Sequence, residues 1–187
     1  MDSSAEHSAA SGAGRAVERS EIVVRPARTA DVAAIVEISR PLVERRVLMA
    51  KEAVSYYESL QEFRIAETPG GEMMGFGALH VMWEDLAEVR TLAARDAWRG
   101  HGVGSALLER LLTDARDLGV RRVFCLTFEV DFFLAHGFHV MENQEAVDPE
   151  VYSELLRSPD EGVAEFLDLA RVKPNTLGNT RMLIELD

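Results

Sequence analysis

The chain has 187 residues, 47% hydrophobic and 28% charged, enough for one globular domain with its own core and too few for two ordinary ones. With 32 acidic against 20 basic residues the net charge is −12, which excludes nucleic acid or an anionic membrane as the main partner. No apolar run approaches the roughly 18 residues that cross a bilayer, the N-terminus lacks the pattern of a secretion signal, and the single cysteine, Cys125, can form neither an internal disulfide nor, alone, a metal site. The expectation is a soluble, cytoplasmic protein without a metal.

Residues 1–20 are small and polar and bury too little to offset their ordering entropy, so they read as a disordered tail ahead of one domain over 21–187. Glu21–Arg25 is β-branched and reads as a first strand. Thr29 is placed to cap a helix whose apolar face is Val32, Ile35 and Val36, with Pro41 interrupting it. A second helical stretch covers about 51–60, and Phe63–Ala66 is a short strand closed by the turn Thr68-Pro69-Gly70-Gly71. Met74–Trp83 and Leu86–Ala94 are two strands joined as a hairpin at Glu84-Asp85. A helix follows with Val103, Leu107, Leu108, Leu111, Ala115 and Leu118 on one face and Gly119 at its end. Val123–Phe128 is apolar throughout and reads as a central strand. A short helix over Asp131–His136, a strand after Gly137, two amphipathic helices within 148–170 and a strand over Thr180–Leu186 complete a mixed α/β order.

Gly100, Gly102 and Gly104 alternate between a strand and a helix. Such spacing lets successive N–H groups face one side, and the positive end of the helix adds to them. That is an anion site suited to a diphosphate, and Arg99 beside it reverses the acidic field locally. A Walker loop fails because Gly104 is followed by Ser105-Ala106, and a dinucleotide fingerprint fails because Leu107 stands where its third glycine is required.

Arg99-x-x-Gly102-x-Gly104, set after Val89–Ala93 and before a helix, resembles the pyrophosphate loop of the GNAT acetyltransferases. Phe133–Phe138 resembles that family's fourth helix and its Gly-Phe exit. The similarity spans about 21–187, and Glu44–Leu48, Gly77–His80, Glu84–Ala93 and Lys173–Arg181 resemble the short N-acetylglutamate-synthase type of actinobacteria. The resemblance implies a GNAT fold: a mixed, mostly antiparallel sheet with splayed parallel strands and flanking helices. It implies acetyl-CoA as co-substrate, gripped by Arg99, Gly100, His101, Gly102, Val103, Gly104 and Ser105, with its pantetheine beside Leu92, Ala93 and Ala94. The Leu92 N–H would face the thioester carbonyl and stabilise the oxyanion.

An α-amine is mostly protonated at neutral pH, so a base is needed. Glu88 is the candidate, four residues before Leu92 and so expected on the same side of the strand, and the resemblance also places a catalytic glutamate there. A solvated strand glutamate is the plain alternative, and His80 on the adjacent strand is the competitor. Many GNAT enzymes protonate the leaving thiolate from a tyrosine where this chain has Phe133. Lysine occurs only at positions 51 and 173, the other basic residues being arginine. The resemblance puts Lys51 and Lys173 near substrate carboxylates, with Asn175, Asn179 and Thr127 as further contacts, although turn chemistry beside Pro174 and Gly178 also explains the two asparagines. The implied activity is acetylation of the α-amine of L-glutamate or L-glutamine at the first step of arginine biosynthesis. Another small amine, a peptide N-terminus, or a non-catalytic acetyl-CoA-binding regulator are the alternatives. A homodimer is the default assembly.

Overall fold

A computed structural model describes residues 21–142, 147–169 and 178–187. The sequence reading of residues 1–20 as a tail lies outside them, as do Lys173 and Asn175. The strands are β1 (Val23–Pro26), β2 (Phe63–Glu67), β3 (Met73–Trp83), β4 (Leu86–Ala94), β5 (Arg122–Thr127), β6 (His139–Val140) and β7 (Thr180–Glu185). The helices are α1 (Val32–Glu44), α2 (Ala53–Glu58), α3 (Val103–Asp117), α4 (Val130–Leu134), α5 (Pro149–Leu155) and α6 (Glu161–Phe166). No described helix is long and apolar enough to cross a membrane.

The strands form one sheet in the order β1-β2-β3-β4-β5-β7-β6, antiparallel except for β4 and β5. Strand alternation sends Ala87, Val89, Val123 and Cys125 to one face, where Leu108, Leu111 and Ala115 of α3 cover them. Leu86, Phe124 and Leu183 point to the other face and meet Leu155, Val163 and Phe166 of α5 and α6. On that same face α1 lays Val32, Ile35 and Ile38 over Phe63, Ile65 and Phe76. The hairpin turn at Glu84-Asp85 and the Gly119 cap of α3, with φ of 83°, form as the sequence predicts.

Two local expectations are corrected. Pro41 does not end the first helix: α1 continues to Glu44, and the Arg45 N–H returns to the Pro41 carbonyl at 3.2 Å. Burial of Ile35 and Ile38 against the sheet keeps the turns around the proline helical despite the missing N–H. Thr29 does not cap it either, because Thr29–Asp31 forms a 3-10 turn and the Asp31 carboxylate accepts the Arg28 N–H at 2.6 Å. Asp31 also pairs with Arg25 at 2.7 Å and so fixes the entry of α1 to β1.

The decisive feature lies in the middle of the sheet. β4 pairs with β5 over only three positions, the last being Glu88 with Phe124. Against β3, Ala78 faces Arg90 but Phe76 faces Ala93, so β4 carries one residue more than its partner. Thr91 takes up the excess with φ of 58°, a left-handed conformation that a β-branched residue adopts only when its surroundings impose it. The bulge turns β4 away from β5 and leaves residues 91–94 without a strand on that side. Gly77, opposite the bulge, makes room for it: a Cβ there would lie 2.8 Å from Leu92 Cδ1.

Candidate active site

The chain turns from β4 through a 3-10 segment, Asp96–Trp98, into the glycine run. Gly100 and Gly102 have φ of 78° and 82°, and Gly102 is the N-cap of α3 in left-handed geometry. The first N–H groups of α3, on Val103, Gly104 and Ser105, open the helix where intrahelical acceptors do not reach. Arg99 is exposed and 3.5 Å from the exposed Glu129, a solvent-screened pair that leaves its guanidinium available to an anion. His101 folds back instead, its ring 3.0 Å from the Arg99 carbonyl oxygen and edge-on to Trp98. Ser105 is held from the turn after α4: His136 has Nδ1 2.7 Å from the Phe132 carbonyl oxygen and Nε2 3.1 Å from Ser105 Oγ. The left-handed glycines, the open helix start and the splayed edge of β4 lie in sequence along one path, which fits a diphosphate followed by an extended pantetheine arm.

Glu88 sits where the β4–β5 ladder stops and is 6% exposed. Desolvation is the main cause that pushes its carboxyl up to about 7, with Asp160 pushing the same way while Arg90, His80 and Lys51 pull it down. Arg90, two residues on and on the same face, places Nε 3.2 Å from Glu88 Oε2, and its Nη1 donates to Asp160 Oδ2 at 3.2 Å. His80 is directly across the ladder from Glu88; its Nδ1 lies 2.7 Å from Glu62 Oε1 and its Nε2 3.8 Å from Asp160 Oδ2. It is thus a partner in the cluster. Gly162 in the first turn of α6 closes the last side, for a Cβ on it would fall 2.1 Å from Glu88 Oε2.

One positional inference from the sequence is corrected. Glu88 and Leu92 do not share a face: Leu92 packs with Leu107 and Leu111 on the α3 side, whereas Glu88 faces Asp160 and Gly162. The extra residue at Thr91 inverts the alternation between them. Lys51 is exposed, yet its ammonium falls within the field of Glu88, Glu62, Asp160 and Arg90, and burial of the charged end followed by Arg90 lowers its pKa. Thr127 is buried, its Oγ1 accepts the Glu129 N–H at 2.9 Å, and alternation puts it with Cys125 on the α3 face, across the sheet from Glu88. Asn179 precedes β7 beside the end of β5, where Thr127 pairs with Thr180. Cys125 is fully buried and its thiol is pushed up by desolvation and then by Glu88, so it stays neutral. Phe133 packs edge-on against Phe132 and Phe138, at 5.2 and 5.0 Å between ring centres, and offers no phenol.

Sequence reasoning missed Arg90, Asp160, Gly162 and Glu62. Arg90 was within reach, because alternation from Glu88 puts it on the same face. Asp160, 70 residues further along, carries no local signal.

A helix start suited to a diphosphate, a bulged strand splayed from its parallel neighbour and a buried carboxylate at the fork together match what an acyl-group transferase requires. Residues 36–140 match the acetyltransferase (GNAT) family. An amino-acid acetyltransferase of Mycobacterium tuberculosis is 52% identical over 166 residues, covering 88% of this chain and 94% of that one. The structure of Rv2747 from the same organism, in complex with CoA and NLQ, superposes with a TM-score of 0.82 at 52% identity, over 88% of this chain and 99% of that one. N-acetylglutamate synthase of Neisseria gonorrhoeae, complexed with coenzyme A and N-acetyl-glutamate, shares the fold with a TM-score of 0.70 at 22% identity, over 89% of this chain and 35% of that one. The chain belongs to the GNAT family of acetyltransferases, and acetyl-CoA is its acyl donor.

Proposed function

We propose that the protein acetylates the α-amine of an amino acid, L-glutamate or L-glutamine, and so performs the first step of arginine biosynthesis. The observation that carries this reading is Glu88: a buried carboxylate with a pKa of about 7 at the fork between β4 and β5. A base titrating near neutral pH can accept the proton that an α-ammonium must lose before it attacks. The similarity to the mycobacterial amino-acid acetyltransferase supports an amino-acid acceptor.

The amides at Gly102–Ser105 and the Arg99 guanidinium would hold the diphosphate, and the edge formed by Leu92, Ala93 and Ala94 would align the pantetheine. The thioester, when bound, supplies the activated acetyl carbon. Glu88 takes the ammonium proton, and Lys51 draws the anionic end of the substrate toward an otherwise acidic wall. Lys173, Asn175 and Asn179 complete the proposed substrate contacts, whereas Thr127, buried on the α3 face, is withdrawn from them.

Thiol release from acetyl-CoA, measured against a panel of amino acids, peptides and polyamines, tests the reading. Turnover is expected with glutamate or glutamine and not with polyamines, because the proposed lysines select an anionic acceptor. No turnover with either amino acid would remove the proposal.

A further inference from the structure

The polar cluster beneath the fork contains three buried atoms with no hydrogen-bond partner among the described residues: Glu88 Oε2, Arg90 Nε and Arg90 Nη2. This is unexpected for a carboxylate and a guanidinium in contact. Such a pair in a dry site normally closes into two parallel charge-assisted hydrogen bonds. Here Nε and Oε2 are 3.2 Å apart but misaligned, and the hydrogen bond that Arg90 does make to a carboxylate goes to Asp160.

Asp160 is well fixed for that task. Its Oδ1 accepts the Val163 N–H at 3.2 Å as the cap of α6, and its own N–H donates to Ser158 Oγ at 3.2 Å. Burial works against its charge, but Arg90, the Val163 N–H and His80 together hold its carboxyl below the ordinary value. We infer that Asp160 is a positioning residue: by holding the Arg90 guanidinium through Nη1, it keeps Oε2 of Glu88 out of a hydrogen-bonded ion pair and so preserves the carboxylate as a proton acceptor. The inference rests on the reading of Glu88 as the base and adds what preserves its basicity. A carboxylate locked by a guanidinium fork is a poor proton acceptor, because the fork stabilises its charged form.

Every charged group facing Glu88 enters the balance. Arg90 on its own strand, His80 on β3 and Lys51 ahead of α2 favour its ionised form, and Asp160 ahead of α6 opposes it. Glu62, ahead of β2, reaches the cluster through His80. Asp160 therefore acts twice, by its own charge and by occupying Arg90.

The test is the pH dependence of kcat for the full chain, with acetyl-CoA and the amino acid that supports turnover. Asp160→Asn keeps a residue that caps helices and removes the charge. Its acid limb should move down by about one unit, with turnover above pH 8 reduced several-fold as the base weakens. Asp160→Ser, which also caps, should do the same. Arg90→Gln should move the limb in the opposite direction. A carbon-13 titration of the Glu88 carboxyl should show the same opposed shifts without relying on turnover. A limb that is lost in Glu88→Gln but unmoved in both Asp160 variants would overturn this inference and leave the base in place. A wild-type profile without that limb, or an active Glu88→Gln enzyme, would overturn the base and the inference with it.

Discussion

Glu88 illustrates at the scale of a single residue how a site is assembled against stability. Its carboxyl binds a proton more tightly in the folded chain, at about 7, than at its ordinary value of 4.5. The folded state is thus favoured while Glu88 is protonated. That contribution is complete below pH 4.5 and is lost as pH rises through 7. Glu88→Gln, which cannot ionise, should therefore melt higher than the wild type at pH 8, by an amount on the order of 3 kcal/mol, and show no such gain near pH 4. Thermal melts of the protein without ligand at the two pH values check this, and equal melting at pH 8 would mean that the carboxyl is not desolvated. Gly102 poses the complementary case. Its φ of 82° suits only a residue without a Cβ, and the Gly102 amide neighbours the open start of α3. Gly102→Val should weaken acetyl-CoA binding by about tenfold or more, read by calorimetry, while costing about 1–2 kcal/mol of fold stability, too little to unfold the domain.

Among the elements, β3 and β4 determine the site through a mismatch of one residue. The glycines of β3 are the permissive half of that mismatch. A Cβ at Gly75 would lie 2.5 Å from the Ala93 carbonyl oxygen, which is backbone and cannot move aside, whereas one at Gly77 would meet the tips of Leu92 and Leu111, at 2.8 and 3.1 Å. Gly75→Ala should accordingly cost more than Gly77→Ala, about 1–3 kcal/mol against less than that, and should raise the KM for acetyl-CoA. Urea melts and initial rates of the two variants give the order, and a reversed order would refute the strand contact. The hairpin, its turn, α3 and its glycine cap were legible in the sequence because each is written in adjacent residues: alternation, a 3.6-residue period, a terminal glycine. The bulge was not. No local rule assigns a positive φ to a threonine such as Thr91; it is imposed by the pairing of two strands and the crowding around Gly77. That one hidden residue is also why alternation from Glu88 misplaced the Leu92 side chain.

For the whole molecule, the two ends of the chain's logic meet at one point. The loop from β4 to α3 was readable as a candidate anion site from its glycines alone, and Glu88 as a candidate base from its place on β4. The wall that completes the site arrives from α6 and from the loop ahead of α2, through Asp160, Gly162 and Lys51. Long-range partners of this kind leave no spacing to count, and only the packing of α5 and α6 over Leu86, Phe124 and Leu183 brings them in. Charge has the same character. A total of −12 suggests a surface hostile to coenzyme A, but Arg99 offsets it beside the glycine run, and Arg90 and Lys51 offset the carboxylates around Glu88.

The short β4–β5 seam has one more effect. A strand side that no neighbour completes is where foreign chains ordinarily add and aggregation begins. Here that side, over residues 91–94, has no strand of the sheet against it. A pantetheine lying along it would serve as a strut joining the two halves of the sheet, so supply of the donor would govern how durable the enzyme is as well as how fast it works.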